Sequence, residues 1–203
     1  MVEQTKTSVL LLSVSILLAL GAAACSNEPG NKGTANSEPL VKTDPAKPPS
    51  DKGDMVVTGG DLAFMNDAAP GGMAEVELGK LAVKQAASND VKQFAQKMID
   101  DHSKAGEDLE ALAAQKKVTL PPDVMPKHKE IMDKLSKLSG ADFDKEYVKA
   151  MVEAHEKDVA AFENVSKTAA DADVKAFATK RLPTLKMRLE MIKGMAAKMG
   201  VKP

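Results

Sequence analysis

Residues 92–102 read Lys92-Gln-Phe-Ala-Gln-Lys-Met-Ile-Asp-Asp-His102, and the same spacing returns at residues 145–155. The shared pattern is K-x-[FY]-x-x-x-M-[IV]-[DE]-x-H. Its apolar residues recur every three or four positions, which places them on one face of an α-helix. The repeat therefore predicts that the core of the protein is built from amphipathic helices.

The composition of the 203-residue chain also favours helices. Aromatic residues make up only 3%, and the β-branched and aromatic enrichment that is typical of strands is missing. The net charge is −1 with both signs interleaved, so no long-range field attracts nucleic acid. A single Cys excludes an internal disulfide and a Cys-x-x-Cys motif. We expect one all-α domain with additional segments and no nucleic-acid partner.

Residues 1–24 are predicted to be a signal peptide of the lipoprotein type. Residues 9–24 are apolar apart from two serines and one glycine, a run shorter than the ~20 residues of a comfortable membrane span. Three alanines then precede Cys25, an arrangement that resembles a bacterial lipoprotein signal whose Cys is lipidated. Ordinary secretion with a free thiol is the alternative. By resemblance to Gram-negative lipoproteins, Ser26 favours an outer-membrane anchor that faces the periplasm.

The rest of the chain divides into a tether, residues 25–60, and a helical domain, residues 61–200. The tether contains five prolines among small polar residues, a composition that cannot bury enough apolar surface to offset chain entropy. In the domain, Asp61 is the expected N-cap, and Pro70-Gly-Gly72 is expected to break or kink the first helix. Long helices are then predicted at about 73–87, 90–117, 142–168 and 173–199, with a short helix at about 127–138.

The long helices each carry one apolar stripe, which on helix 1 includes Val76, Gly79 and Val83. Mostly short turns join them, so they can bury their stripes only against each other. The predicted fold is an up-down four-helix bundle with a short extra helix between helices 2 and 3.

Several ionisable side chains fall on these inward stripes. At about 100° per residue, His102 lies at the centre of the helix 2 stripe, Asp158 lies near the centre for helix 3, and His155 lies beside it. The remaining inward groups are Glu75 at the edge of the helix 1 stripe, and Arg181 and Arg188 on helix 4. Buried charges need partners, so these residues either bind something or satisfy one another.

One interpretation is a divalent metal site inside the bundle. His155 and Asp158 have the i, i+3 spacing that offers two ligands to one ion, and His102 could face them with Glu75. A di-iron centre would use Glu-x-x-His, but Ile99 and Val152 stand three residues before the two histidines. An oxidase of that kind is therefore not expected.

The other interpretation is a buried polar network without a cofactor. It would be built around Arg181, Arg188 and Asp101, with an arginine paired to Asp158 or Glu75 and each histidine bonded to a carbonyl or carboxylate. Arg188 would also repel a cation at the metal site.

A methionine series and His128 are two further groups of possible ligands. Four methionines recur every four residues near the end of the last helix, and their thioethers would suit copper. Because positions four residues apart drift around a helix, this series is expected to be a mixture of core and surface residues. The four are Met187, Met191, Met195 and Met199. His128 is expected in or beside a loop and solvated. No Ser/His/Asp or Cys/His combination is available, so the sequence favours a protein that is not an enzyme.

Several stretches together resemble the DUF4142 family. They are residues 75–82 (Glu-Val-Glu-Leu-Gly-Lys-Leu-Ala), 91–102, 138–147, His155 and 182–185. The resemblance implies an exported bacterial protein with a ferritin-like helical bundle and no established activity. Family members often carry His at the position of Arg188, so a site that used that His would be altered here.

Two functions are compatible with these observations. The first is a non-enzymatic module of the cell envelope that binds a protein partner or contributes structurally. The second is a periplasmic metal-binding or stress-related bundle that uses the inward His, Asp and Glu side chains.

Overall fold

The structure is a computed structural model that describes residues 57–202. Over these residues the chain is entirely helical, with no strand, which confirms the all-α class. The helices are α1 (Gly59–Gln85), α2 (Asn89–Gln115), α3 (Pro126–Ser136), α4 (Gly140–Thr168) and α5 (Ala172–Met199). None of them is long and apolar enough to cross a membrane. The predicted signal peptide, Cys25 and nearly all of the tether lie outside the described residues.

The long helices contact one another mainly as two pairs. α1 lies along α2, and α4 lies along α5, whereas α1 meets α4 and α2 meets α5 over smaller areas. The short α3 contacts α1 and α4. The finer prediction, a ferritin-like up-down bundle of four helices, stays a prediction.

The predicted break at Pro70 is wrong, because α1 is a single helix of 27 residues with this proline inside it and buried. A proline inside a helix removes one backbone hydrogen bond and crowds the preceding turn. Packing along α2 outweighs that local cost, since most helical stability in a protein comes from tertiary contacts.

The buried face of α1 also differs from the predicted stripe. Val83 is 37% exposed, while Glu75, Leu78 and Ala82 are buried. At Gly79 a Cβ atom would stand 2.8 Å from Ile99 Cγ1 and 3.0 Å from the Ala95 carbonyl oxygen. The absence of a side chain there lets α1 and α2 approach closely, and this approach sets which face of α1 turns inward.

Apolar side chains form two separate core clusters. One contains residues from 78–86, 91–98, 143–152 and 192–196, and the other contains residues from 64–65, 109–113, 165 and 174–178. In every long helix, the ionisable residues that were predicted on the inward stripe lie between the segments that belong to the two clusters. The fold therefore places a polar layer between two apolar ones.

Capping residues mark the start of α2 and the end of α5. Ser88 accepts a hydrogen bond from the Val91 amide at 3.5 Å, and Gly200 ends α5 with φ 66°. Asp61 is not the N-cap that we expected, since α1 begins after Thr58. Its buried carboxylate instead accepts a hydrogen bond from the Asp171 amide at 2.8 Å, which ties α1 to the start of α5.

Asp171 should contribute strongly to stability at this corner. Its carboxylate accepts from the amides of Asp173 and Val174 at 2.9 and 3.1 Å, and it lies 2.7 Å from Lys116 Nζ. We expect Asp171→Ala to lower the free energy of unfolding by about 1–3 kcal/mol at pH 7, measured by urea denaturation. Asp173→Ala is the matched control, because it removes only a more exposed partner of the same lysine and should cost less than about 1 kcal/mol.

The contacts of Asp171 also predict that the stability of the protein depends on pH. Burial alone would raise the pKa of Asp171, but Lys116 and the two amide donors outweigh it and hold the pKa below its usual value. A lowered folded-state pKa gives stability that is present above the unfolded value, about 3.9, and is lost as the pH falls through the folded value. The difference in the free energy of unfolding between the wild type and Asp171→Ala should therefore shrink below about pH 4. An unchanged difference at pH 3 would contradict this assignment.

Candidate metal centre

Three side chains from three helices converge in the polar layer. Glu75 of α1, His102 of α2 and His155 of α4 each present a ligand atom, and these atoms lie within 4.8 Å of one another. Glu75 Oε2 is 3.0 Å from His102 Nδ1, and Glu75 Oε1 is 3.4 Å from His155 Nδ1. One carboxylate and two imidazoles thus surround a common point.

The repeated motif explains why both imidazoles point inward. His102 and His155 each stand four residues after a fully buried methionine, Met98 and Met151. Positions i and i+4 share one helix face, so the core methionine fixes the direction of the histidine one turn later. Glu75 reaches the same point from α1, held by the close contact of that helix with α2.

His155 is fully buried, and its tautomer follows from its contacts. Nδ1 lies 3.1 Å from the Met151 carbonyl oxygen, which can only accept, so Nδ1 carries the proton. Nε2 therefore holds a lone pair, and it has no hydrogen-bond partner among the described residues. Burial lowers the pKa of His155 despite the nearby Glu75 charge, so the ring is neutral at physiological pH.

Glu75 and His102 favour each other's charged form. Burial alone would raise the pKa of Glu75, but the charge and hydrogen bond of His102 outweigh it and the pKa is lowered. Burial alone would lower the pKa of His102, and the charge of Glu75 likewise reverses this and raises it. Glu75 is therefore an ionised carboxylate, and its Oε1 accepts no hydrogen bond within the described part of the chain.

Asp158 lies near this cluster without belonging to it. It stands three residues after His155 and lines the same cavity as Glu75 and His102. Burial and the negative charge of Glu75 raise the pKa of Asp158 to about 8, so the carboxyl is largely protonated at pH 7. A cation beside it would favour the ionised form and make it available as a further oxygen ligand.

The expected pairing of an arginine with Asp158 or Glu75 is wrong. Arg188 Nε donates to Asp101 Oδ2 at 2.8 Å, and Arg181 pairs with Asp108. Because Asp101 offsets the charge of Arg188, the cluster does not face an uncompensated cation. The sequence could not give this result, since it depends on how α5 is rotated against α2.

A cavity of about 750 Å³ adjoins the cluster. Glu75, His102 and Asp158 lie on its wall, whereas His155 lies behind them. The rest of the wall consists of apolar residues, of acidic and basic side chains that include the two arginines, and of the connection after α2. Its apolar members include Leu109, Leu120, Val124, Phe162, Phe177 and Leu185.

Sequence reasoning missed the position of His128. It lies in α3, partly buried, and lines a second cavity of about 590 Å³ together with Glu75 and Asp158. Burial lowers its pKa, and its Nδ1 has no hydrogen-bond partner in residues 57–202. The signal was present, because His128, Met132 and Leu135 share one face of a short amphipathic helix.

Solved structures of similar fold come from two groups. A DUF305 fragment from Deinococcus radiodurans and a putative secreted DUF305 protein from Streptomyces coelicolor each match with a TM-score of 0.61 and 15% identity. These matches cover 70% and 71% of this chain, and 98% and 96% of the respective relatives. CopM in its Cu(II)-bound form matches with a TM-score of 0.59 and 16% identity, over 68% of this chain and 96% of CopM. At such identities the likeness shows a shared helical fold.

Sequence comparison gives the family. No curated protein matches the chain significantly. The family described as "Domain of unknown function (DUF4142)" matches residues 46–195, which include every described helix except the last residues of α5. The resemblance noted in the sequence is thereby confirmed, and the chain belongs to the DUF4142 family.

Proposed function

We propose that this protein is an exported, lipid-anchored, ferritin-like helical bundle that binds a divalent transition-metal ion. Glu75, His102 and His155 would be the ligands, with Asp158 joining them when the ion is bound. The observation that carries this proposal is the convergence of one ionised carboxylate and two imidazoles from three helices in a buried layer.

Unpaired lone pairs in the cluster support metal binding over a purely structural network. Glu75 Oε1 and His155 Nε2 accept no hydrogen bonds within residues 57–202. A buried polar atom without a partner costs about 1–3 kcal/mol, and a network that served stability alone would satisfy such atoms. A cation between the three side chains offers these lone pairs a partner.

The donor set indicates which metals fit. Two imidazoles and a carboxylate suit zinc, copper(II) and iron(II), whereas magnesium and calcium prefer oxygen donors alone. Copper(II) should bind most tightly, since it heads the usual affinity order of divalent first-row ions. CopM, which has a similar fold, has been solved in Cu(II)-, Cu(I)- and Ag-bound forms.

Metal titration of the mature protein tests the proposal. Protein purified without a His tag and stripped of metal should bind about one equivalent of Cu²⁺ or Zn²⁺, and Cu²⁺ should compete Zn²⁺ off. Because metal binds the folded state, the melting temperature should rise by about 5–10 °C at roughly 100 times the Kd. Substoichiometric metal, with no change in melting temperature for zinc, copper, iron or manganese, would reject the proposed function.

The lipid anchor has an independent test. The apolar run, the three alanines and the lone Cys25 support attachment through that residue. We expect Cys25→Ser to move the protein from the membrane fraction to the soluble periplasmic fraction. Ser26→Ala is the control and should stay with membranes. Sedimentation of Cys25→Ser with membranes would end the anchor proposal without affecting the metal site.

A further inference from the structure

Two cavities reach the proposed metal centre. The first, of about 750 Å³, has Glu75 and His102 on its wall, whereas the second, of about 590 Å³, has Glu75 but neither His102 nor His155. Glu75 is only 4% exposed, and its Oε1 accepts no hydrogen bond within residues 57–202. An ion can reach a ligand buried to this degree only through such a space, so the two cavities are the candidate routes.

The first cavity has room for a hydrated ion. One water occupies about 30 Å³ in the liquid, so an ion with six waters needs roughly 200 Å³. The wall of this cavity also includes exposed residues, among them Glu107, Glu110 and Asp123, so the cavity opens to solvent. These three carboxylates are called the acidic mouth.

The charges on the two walls differ in sign. Apart from two acidic residues that line both cavities, the first wall carries five acidic and three basic side chains, and the second carries three acidic and four basic ones. Two of the basic side chains on the first wall are the arginines, which already pair with aspartates of α2. With His102 protonated and His128 neutral, the first wall stays net negative and the second net positive. A cation is therefore attracted to the first cavity and repelled from the second.

The acidic mouth lies close enough to the ligands to act on an approaching ion. Glu107 and Glu110 follow His102 in α2 by five and eight residues, which corresponds to about 7 and 12 Å along the helix. The Debye length is about 30 Å at 0.01 M salt and about 10 Å at 0.1 M, so the attraction is strong only at low ionic strength.

A glycine keeps the first cavity wide. Gly106 in α2 lines this cavity and not the second, and a Cβ atom there would meet no atom within 4 Å. Its φ is not positive, so the backbone does not require glycine, and glycine inside a helix is less stable than alanine. A long side chain at this position would narrow the space next to His102.

Resting on the metal site proposed above, we propose that the first cavity is the route by which a hydrated divalent cation enters and leaves the metal centre, drawn in by the acidic mouth. The ion exchanges its waters first for Glu75 and His102, which lie on the wall, and then for His155 behind them.

Stopped-flow absorption of Co²⁺ with the metal-free mature protein tests the role of the charges. At about 0.01 M salt, Glu107→Gln/Glu110→Gln should lower the association rate constant at least about threefold and make it less sensitive to added salt. Asp67→Asn/Glu153→Gln is the matched control, because it removes two exposed carboxylates from the second cavity. This control should stay within about 1.5-fold of the wild type. Equal slowing by both double variants, or no slowing by the first, would overturn the inference.

Narrowing the route gives a kinetic signature of its own. Gly106→Leu should lower the association rate constant and the rate of Co²⁺ transfer to excess chelator by similar factors of at least about threefold. The Kd should then stay within about twofold, because a narrower path slows both directions alike. Gly194→Leu makes the same change in α5, on neither cavity wall and also without contacts within 4 Å, and should alter neither rate. Wild-type rates in Gly106→Leu would contradict the proposed route.

The two proposals fail in different ways. If Co²⁺ does not bind the wild-type protein, the metal centre is wrong and the route falls with it. If Co²⁺ binds and the variants of the first cavity load and release it at wild-type rates, only the route is overturned.

Discussion

Replacing Glu75 with Gln should weaken metal binding by at least about a hundredfold while the protein keeps its fold. The substitution preserves the size of the side chain and removes the only ionised carboxylate among the three converging ligands. Two imidazoles would then have to hold a divalent ion in a buried site, and Asp158, which is largely protonated before the ion arrives, would be the one remaining source of negative charge among the proposed ligands. The affinity should be measured by competition against a chelator of known strength.

Glu77→Gln is the matched control for this variant. Glu77 lies in the same helix, two residues further on, but its side chain is exposed and pairs only with Lys80 in the described structure. It should bind metal as the wild type does. At a metal concentration that raises wild-type stability by about 2.7 kcal/mol, the Glu75→Gln protein should gain less than about 0.5 kcal/mol. If the Glu75→Gln protein bound metal with wild-type affinity, Glu75 would not be a ligand and the proposed metal centre would be wrong.

Phe94→Ala should cause the largest loss of stability among single substitutions proposed for this protein. The ring is 1% exposed within the first core cluster, and its centroid lies 6.2 Å from that of His155. Truncation removes buried apolar surface and leaves a cavity, which together cost about 3–5 kcal/mol. This is a large share of the 5–15 kcal/mol that stabilises a typical domain, so the urea midpoint should fall strongly.

Met187→Ala is the comparison for Phe94→Ala. Met187 is 50% exposed on α5, so its truncation should change stability by no more than about 0.5 kcal/mol. This pair also tests the interpretation of the methionine series as a mixture of core and surface residues. Equal destabilisation by both substitutions would contradict the burial pattern of the two helices.

The position of the proposed metal centre between two apolar clusters has a physical consequence. Each cluster holds its own segments of the four long helices, so the ligands sit on a framework fixed on both sides. Side chains held in this way lose little further freedom when an ion arrives, which favours affinity. The same layer is open to a cavity on one side, since Glu75 and His102 lie on its wall.

Local patterns predicted much of the helical framework. The repeat around Phe94 predicted the buried face of α2 correctly, because helix period is a property of neighbouring residues. The predicted end of the last helix at about residue 199 is also confirmed, since Gly200 adopts a left-handed conformation that ends a helix whatever surrounds it. The break at Pro70 failed because its cost is local, whereas the compensating contacts come from a separate helix.

Only part of the candidate site could be predicted from local sequence patterns. The spacing in each repeat placed His102 and His155 on inward faces. Glu75 was expected only at the edge of its stripe, and His128 was expected in solvent, although both line cavities inside the fold. Predicting them required the rotation of α1 and the docking of α3, which depend on residues distant in sequence.

The sequence by itself determined that the protein is helical, where several helices end, and that two imidazoles turn inward one turn after a core methionine. Only the tertiary structure decided which ionisable groups meet: Glu75 with both histidines, and each arginine with an aspartate of α2. The physical reason is that a helical period fixes the direction of a side chain relative to its own helix. The distance between side chains on different helices depends on how those helices pack.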